Sequence, residues 1–533
     1  MRTKVALALA LAVALAQGCS AFDNVPQLKE LAQQLQELLA KCEANKSPAE
    51  WEVLSPMWLC AEAVLAENWQ KAADADAWLR ARLARKEWFE RLGPNARMWG
   101  GDILREAAAE EKLDLHAVLA RMINLAKAIP WDQRARLGVE RFRKGQATVR
   151  VVDADGAPVA GAKVVVRQVS HDFLFGCAFP NFSAIKRRLG EEGWSKFQRY
   201  FTALFNYATS ENMFKWIVMQ PRDGPPSFAD TDQWVAWCEA NGVVPKGHCL
   251  VWGNKGGQGV PPFLFALAPQ EVTRRVEQRI RSTVGRYAGR VRFWDVVNEP
   301  LHCHWFEQRM GPGYIAQCLS WARAADPQAK LIVNEFANFV GGAPRFRDLL
   351  RRLREQGAPI DAAGLQTHDN GYFYPPQVIF NTLDTVAQAG LPLHLTEITF
   401  SSDGRPIRGG YRQGRWTPEV QGQFYEYLYT MAFGHPAVEA ITMWALWDGA
   451  SWQPQGGIVG VNWQPKPAYQ ALDRLINTKW RTNLELTAGR GGAVTFRGFY
   501  GRYEIEVTAP DGRRSKTEVH LKKGAENSFV VRI

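Results

Sequence analysis

The sequence predicts an α/β protein built around an eight-stranded (β/α)8 barrel, or TIM barrel, with a helical domain before it and small β-modules before and after it. Eight short, almost wholly apolar runs alternate with helical stretches over residues 172–478. Such runs are typical of parallel strands that are buried on both faces, and eight strand–helix units fit a closed barrel. The flanking segments repeat instead with helical or strand periods.

The first residues of the chain predict export. Arg2 and Lys4 precede an apolar run that ends in Ala14-Leu15-Ala16, a pattern typical of a signal peptide, here placed over residues 1–18. The run is too short to cross a bilayer, and no later stretch predicts a transmembrane segment. We therefore expect a secreted, periplasmic or cell-surface protein. Lipid anchoring at Cys19 is the less favoured alternative, because the residue three before it is Ala rather than the usual Leu.

The segments on either side of the predicted barrel have their own patterns. Over residues 19–144, apolar side chains recur at spacings of three and four, as one buried face of a helix requires, and we interpret the Trp residues there as core. Residues 145–171 alternate with a period of two on either side of a turn, which predicts a hairpin or small β-module. Residues 479–533 return to short strands and predict a C-terminal β-module.

The eight apolar runs are each short enough to be one barrel strand. They are Phe173–Phe179, Asn206–Ser210, Val243–Trp252, Val291–Asn298, Lys330–Asn334, Ala362–Gln366, Pro392–Thr396 and Ala440–Trp444. A doubly wound open sheet is the alternative fold. That fold would carry a Gly-rich phosphate loop after its first strand, and Phe179-Pro180-Asn181 is not one.

Composition narrows the classes of partner. The formal net charge is +11, but basic and acidic residues are interleaved, which predicts a solvated surface and no nucleic-acid partner. We also expect a monomer. The 21 Trp residues suit sugar stacking, although Trp also fills cores. The eight Cys residues contain no C-x-x-C pair, so they predict no zinc site, while a disulfide between Cys42 and Cys60 is left open.

Polar side chains cluster where the predicted strands end. In a parallel barrel, residues at the carboxyl ends of the strands face the mouth, where active sites lie. Several strands deliver a carboxylate, amide, imidazole or indole group to that face: Glu211, Asn212 and Lys215 after the second, His248 and Trp252 on the third, Asn298 and Glu299 at the fourth, Gln366 and His368 at the sixth, Glu397 at the seventh, and Trp444 and Trp452 at the eighth. This concentration predicts a site.

Two carboxylates at such a mouth are what glycosidic bond cleavage needs. One protonates the leaving oxygen, and the other attacks the anomeric carbon or activates water. The separation of the two carboxyl groups decides between retention and inversion. Neighbouring strand ends permit either separation, so the spacing of Glu299 and Glu397 in sequence leaves both outcomes open.

Seven separated motifs together resemble family-10 glycoside hydrolases, whose best-known members are endo-β-1,4-xylanases. In chain order they are Glu211-Asn-Met-Phe-Lys-Trp216, Gly247-His-Cys-Leu-Val-Trp252, Trp294-Asp-Val-Val-Asn-Glu-Pro300, Gly364-Leu-Gln-Thr-His368, Leu393-His-Leu-Thr-Glu397, Ile441-Thr-Met-Trp444 and Lys466-Pro-Ala-Tyr469. The resemblance covers about residues 173–475. It implies a TIM barrel and a retaining mechanism that needs neither a metal nor an organic cofactor.

The resemblance also implies roles for individual residues. Glu299 is expected to be the acid/base and Glu397 the nucleophile, with His368 bonded to Glu397 and Asn298 to the sugar 2-hydroxyl. Polar side chains expected to hold the glycone sugars are Glu211, Asn212, Lys215, His248 and Gln366. The expected walls of the cleft are Trp252, Trp444 and Trp452.

Two departures from the family pattern lie beside the expected site. The family usually has Trp-His-Ser-Gln after the third strand, whereas this chain has Trp252-Gly-Asn-Lys255 followed by further glycines. The usual acidic residue two positions after the nucleophile is Thr399. The resemblance implies a β-1,4-glycanase acting on xylan or a decorated xylan. The departures imply that its glycone-binding loop is atypical. The alternatives are a catalytically impaired carbohydrate-binding protein of the cell surface and, less favoured, a scaffold protein.

Overall fold

The computed structural model describes residues 25–42, 48–109, 114–368 and 371–533. The predicted signal peptide and Cys19 lie outside these ranges. The chain divides into two compact units, Met1–Leu137 and Gly138–Ile533. Within the described ranges, every helix is too short or too polar to span a membrane.

The first unit is helical, as the periodicity of its leucines predicts. Leu28, Leu35 and Leu39 lie on one buried face of the first helix. Trp69 and Trp88 pack against the core of the unit, but Trp58 and Trp78 are each 38% exposed, so the interpretation of the Trp residues as core is wrong for these two. The helices are α1 (Val25–Ala40), α2 (Pro48–Leu65), α3 (Trp69–Leu83), α4 (Lys86–Phe89), α5 (Pro94–Ala109) and α6 (Leu115–Phe142), which ends inside the second unit.

No disulfide joins one described cysteine to another. Cys42 and Cys60, for which a disulfide was left open, are both buried in the helical unit. Burial, together with the nearby Asp76 carboxylate, raises the pKa of the Cys60 thiol to about 12. Because the thiolate is the reactive form, Cys60 is a structural side chain rather than a nucleophile.

The second unit contains the predicted closed barrel of eight parallel strands. Each apolar run named from the sequence overlaps one barrel strand, which confirms the fold class. The order around the barrel is β10-β3-β4-β5-β6-β7-β8-β9. The strands are β3 (Leu174–Phe179), β4 (Tyr207–Ser210), β5 (Val244–Trp252), β6 (Phe293–Asn298), β7 (Lys330–Glu335), β8 (Ala362–His368), β9 (Leu393–Thr399) and β10 (Val438–Met443).

Helices follow the strands of the barrel. They are α7 (Phe182–Leu204), α8 (Trp216–Met219), α9 (Ala229–Ala240), α10 (Pro269–Arg286), α11 (Trp305–Met310), α12 (Tyr314–Ala325), α13 (Ala343–Glu355), α14 (Pro376–Ala387), α15 (Pro418–Gly434) and α16 (Pro467–Asp473), and α16 continues as a π-helical segment over Arg474–Lys479. Short 3₁₀ turns occupy Pro262–Leu264, Asn338–Val340 and Asp448–Ala450. This alternation places every strand-to-helix loop at one end of the barrel.

The segments before and after the barrel form one two-sheet module. One sheet has the order β12-β1-β15 and the other β11-β2-β13-β14. The strands are β1 (Lys144–Val152), β2 (Lys163–His171), β11 (Asn483–Thr487), β12 (Ala493–Phe499), β13 (Gly501–Thr508), β14 (Arg514–Leu521) and β15 (Ser528–Arg532).

Of the two alternatives predicted for residues 145–171, the hairpin is wrong, because its two strands lie in different sheets of this β-module. β1 lies between β12 and β15, and β2 lies between β11 and β13. Val149 of β1 and Val166 of β2 belong to one shared core. The connection, residues 153–162, is long enough to cross between sheets, whereas tight hairpins close with much shorter turns.

Candidate active site

Glu299 lies at the carboxyl end of β6, held on both oxygens. Trp252 Nε1–H donates to its Oε2 at 2.8 Å, and Gln366 Nε2–H donates to its Oε1 at 3.0 Å. The backbone N–H of Glu299 donates to Asn334 O at 2.7 Å, and its φ is +56°. A non-glycine residue at positive φ is held there by its surroundings, and such residues cluster at functional sites. Neighbouring side chains thus fix the plane of this carboxyl group.

Glu397 is buried at the carboxyl end of β9, with partners for both of its oxygens. Asn334 Nδ2–H donates to Oε1 at 2.7 Å, and His368 Nε2 lies 3.0 Å from Oε2. Burial by itself would raise the pKa of Glu397. The opposing charges of His248, His368 and Lys246, with the hydrogen bond from His368, outweigh burial and lower this pKa to about 2. Glu397 is therefore a carboxylate at neutral pH.

Three amide side chains connect the two carboxylates. Gln366 Nε2 contacts both Glu299 and Asn298, the latter at 3.3 Å to Oδ1. Asn334 Nδ2 donates to the same Asn298 oxygen at 2.8 Å and to Glu397. Gln366 and Glu397 are also paired across β8 and β9. The two carboxylates therefore share one hydrogen-bonded network across four neighbouring strands.

A buried charge cluster lies next to Glu397. Asp295 Oδ2 is 2.9 Å from Lys246 Nζ and 2.8 Å from His248 Nδ1. The side chains of Lys246 and Asp295 are fully buried, and His248 Nδ1 is 3.9 Å from Glu397 Oε1. Because a buried ion pair requires well-placed partners, Asp295 fixes the imidazole and the ammonium that lower the pKa of Glu397.

The polar residues predicted to bind sugars after β4 contact one another and the Trp252 ring. Lys215 Nζ donates to Asn212 Oδ1 at 2.7 Å and lies 5.2 Å from the centre of the Trp252 ring. It also donates to Gln258 Oε1 at 3.2 Å. Burial raises the pKa of the adjacent Glu211 carboxyl, and the Lys215 charge opposes that rise.

Two of the three tryptophans predicted to wall the cleft contact histidines of the site. The ring of Trp444 lies edge-on to His248 at 5.2 Å, and that of Trp452 lies edge-on to His368 at 4.9 Å. Trp444 is 6% exposed, whereas Trp452 is 54% exposed. Trp452 Nε1–H donates to Thr399 Oγ1 at 3.2 Å. Thr399, the residue at the usual acidic position, thus serves as the hydrogen-bond partner of a wall residue.

The structure brings all twelve predicted site residues into this one network of contacts. Sequence reasoning missed Asn334, Asp295 and Gln258. Asn334 could have been found, since it is the last residue of a predicted strand and the same criterion selected Asn298. Asp295 lies inside an apolar run, so its charge was itself a signal. Nothing in the sequence places Gln258, which reaches Lys215 from a glycine-rich loop.

Among the residues with described positions, no group of three or more His, Cys, Asp or Glu side chains is arranged to hold a metal ion. The arrangement offers instead an ionised carboxylate and a second carboxyl group oriented by N–H donors, with Trp side chains around them. Two carboxyl groups at the mouth of a parallel barrel are the arrangement that glycosidic bond cleavage needs.

Comparisons with known proteins identify the family. The family model described as "Glycosyl hydrolase family 10" matches residues 168–474, more than half of the chain. The protein belongs to glycosyl hydrolase family 10. This confirms the family resemblance seen in the sequence motifs.

The relatives include proteins with different names. The chain is 30% identical over 398 residues to the anti-sigma-I factor RsgI6 of Acetivibrio thermocellus, covering 74% of this chain but only 49% of that protein. It is 29% identical over 321 residues to endo-1,4-beta-xylanase B of Thermotoga neapolitana, covering 54% of this chain and 87% of that protein. It also resembles the crystal structure of native xylanase 10B from Thermotoga maritima, with a TM-score of 0.50 and 26% identity over 58% of this chain and 96% of that one.

Proposed function

We propose that this protein is a retaining glycoside hydrolase that cleaves β-1,4-linked plant-type polysaccharide, namely xylan or a decorated xylan, outside the cytoplasm. The observation that carries the proposal is the pair Glu299 and Glu397, joined through Gln366, Asn298 and Asn334. The named xylanase relatives support the substrate class.

In the proposed mechanism, Glu299 protonates the leaving glycosidic oxygen while Glu397 attacks the anomeric carbon. The C–O bond to the leaving sugar breaks, and a covalent glycosyl-enzyme forms on Glu397. Glu299, now ionised, takes a proton from water, and that water releases the sugar with its original anomeric configuration. The low pKa of Glu397 suits the role of nucleophile, because a nucleophile must be ionised to attack.

The neighbouring side chains have supporting roles in this proposal. Asn298 bonds the sugar 2-hydroxyl, and His368 fixes the orientation of Glu397. The glycone sugars lie against polar groups and indole rings contributed by Glu211, Asn212, Lys215, His248, Trp252, Gln366, Trp444 and Trp452. No cofactor enters the mechanism, because two carboxyl groups and water balance every bond and proton.

The test is hydrolysis of aryl β-xylobiosides with good and poor leaving groups, and of polymeric β-glycans. We expect Glu397→Ala to reduce kcat by on the order of 10⁴-fold or more on every substrate. Glu299→Ala should impair poor leaving groups far more than activated ones, because only the former need a proton. The first-formed product should keep the β-configuration by NMR.

The matched control is Glu277→Ala, which removes a surface carboxylate paired with Arg281 and should leave turnover unchanged. Tight glycan binding without hydrolysis of any substrate by the wild type would favour the carbohydrate-binding alternative. An α-configured first product would overturn the retaining mechanism while keeping the glycosidase class.

A further inference from the structure

Trp452 projects from a long loop that needs an anchor. The loop runs from the end of β10 at Met443 to the start of α16 at Pro467, with only a 3₁₀ turn at Asp448–Ala450 for regular structure. A side chain that is 54% exposed on such a loop depends on the loop backbone as well as on its own contacts. The contacts that hold the loop therefore decide where Trp452 lies.

Lys466, just before α16, makes several of those contacts from within the loop, beside others from Gln421 and Ser402. Its Nζ lies 3.1 and 3.2 Å from the two carboxylate oxygens of Asp448. It also lies 3.0 Å from Gln455 O and 2.7 Å from Gly457 O. The side chain is only 11% exposed. One ammonium group thus connects the chain before Trp452 to the chain after it.

Backbone contacts join those of Lys466 in a closed set of hydrogen bonds within the loop, here called the ring. Asp448 Oδ1 accepts from Gly457 N–H at 2.8 Å, and Asp448 N–H donates to Val459 O at 2.8 Å. A Cβ on Gly457 would lie 2.5 Å from Asp448 N, so only glycine permits this approach. Burial lowers the pKa of Lys466, and the Asp448 carboxylate opposes that change. The ring therefore encloses a buried ion pair whose partners depend on each other.

Trp452 connects the ring to the reaction centre. Trp452 donates to Thr399 and lies edge-on to His368, which bonds Glu397. Lys466 itself contacts neither Glu397 nor Glu299. Asp448 lies four residues before Trp452, and Gln455 lies three residues after it. Loosening the ring would therefore move the indole without changing the two catalytic carboxyl groups.

We infer that Lys466 is a positioning residue, which holds Trp452 against one sugar of the bound chain. The inference rests on the proposed function, because it assumes that Trp452 contacts substrate. It also gives a role to the first residue of Lys466-Pro-Ala-Tyr469, a motif to which the proposed mechanism assigns none. Lys466 is expected to act on binding and leave the bond-breaking step nearly unchanged.

The test combines two substitutions. Lys466→Met keeps a side chain of similar length and removes its charge, and Trp452→Ala removes the indole. In a Glu397→Ala background, we expect Lys466→Met to weaken xylohexaose binding about tenfold, and the double variant to bind no more weakly than Trp452→Ala alone. In the active enzyme, KM should rise while kcat stays within about twofold. Additive effects of the two substitutions on binding would overturn the inference, since residues that act as one unit are not additive.

Hydrogen exchange distinguishes failure of this inference from failure of the proposed function. Hydrogen exchange of the peptide over residues 447–466 should accelerate in Lys466→Met and return toward the wild-type rate in Lys466→Arg, without any sugar present. Unchanged exchange would overturn the inference whatever the substrate is. If the Glu397→Ala parent does not bind xylohexaose, the proposed substrate fails, and exchange alone then decides whether Lys466 holds the loop. Asp448→Asn should act in the same direction if Lys466→Met does not fold, and Lys330→Met is the matched control on a surface pair.

Discussion

The two sides of the cleft are built differently. On the side of β6 to β9, Asn334 and Gln366 each donate to two acceptors, and both carboxylates have partners for both oxygens. On the side of β5, the loop after Trp252 contains exposed glycines, and Lys255 contacts only the Phe265 ring among the described residues, at 5.5 Å. One side is fixed by strand ends, and the other is a loop whose residues 255–258 are exposed.

This difference separates two properties of the site. Strand ends cannot shift without disturbing the barrel core, so groups placed there keep the distances that bond cleavage needs. Loops tolerate insertions and sequence changes, so recognition of the substrate can change there without loss of the reaction. The departure from the family pattern at residues 253–255 falls on the loop.

Among the residues that support the two carboxylates, the largest effect is expected from Asn334→Ala. Its amide bonds Glu397 and Asn298 and accepts from Thr396 Oγ1, so its loss leaves buried groups unpaired beside the nucleophile. We expect kcat on aryl β-xylobioside to fall about 100-fold, the cost of losing one preorganised donor. Asn477→Ala, which removes an exposed amide bonded to Ala203 O, is the control. A fall below about threefold would contradict the view that the strand side is rigidly fixed.

His368→Phe is expected to change the pH dependence. The hydrogen bond and charge of His368 help to lower the pKa of Glu397, so without them that pKa rises toward its ordinary value. Glu397 must be ionised to attack, and a higher pKa means that it becomes protonated at a higher pH. The acid limb of kcat/KM should therefore move to higher pH than in the wild type. An acid limb that stays in place would mean that His248 and Lys246 alone control Glu397.

Gln258→Ala probes the loop side and should have the smallest effect. Gln258 offers one acceptor to Lys215, and a single hydrogen bond of this kind contributes about 1 kcal/mol, so KM should rise about fivefold with kcat unchanged. Lys255→Ala, on the same loop but in contact only with Phe265 among described residues, is the matched control and should change KM by less than about twofold. A loss of kcat in Gln258→Ala would show that the loop takes part in bond cleavage.

The barrel and its site were largely predictable because both have local signals. Buried parallel strands are apolar runs, and a polar residue at the end of such a run is readily noticed, as with Glu299 and Glu397. Asn334 was overlooked although the same signal marks it. The Lys246–Asp295 pair was also missed, since a sequence does not show that two charges within apolar runs neutralise each other.

The remaining features depend on contacts between distant parts of the chain. The partner of Val149 in β1 is Val494, and no pattern near either residue specifies that pairing. The position of Gln258 depends on how the glycines before it turn. The site assignments and the xylan specificity stay predictions until the variants above are measured.

The two-sheet module has a consequence for biosynthesis. Arg167 in β2 pairs with Asn483 in β11, so the chain enters and leaves the barrel at neighbouring points. At about 5–20 residues per second, the ribosome needs roughly 15–60 s to make the residues between His171 and Asn483. During that time, β1 and β2 expose valine-rich edges without their partners, a state prone to wrong pairing. The time taken to make the barrel therefore sets how long these strands of the nascent chain stay unpaired.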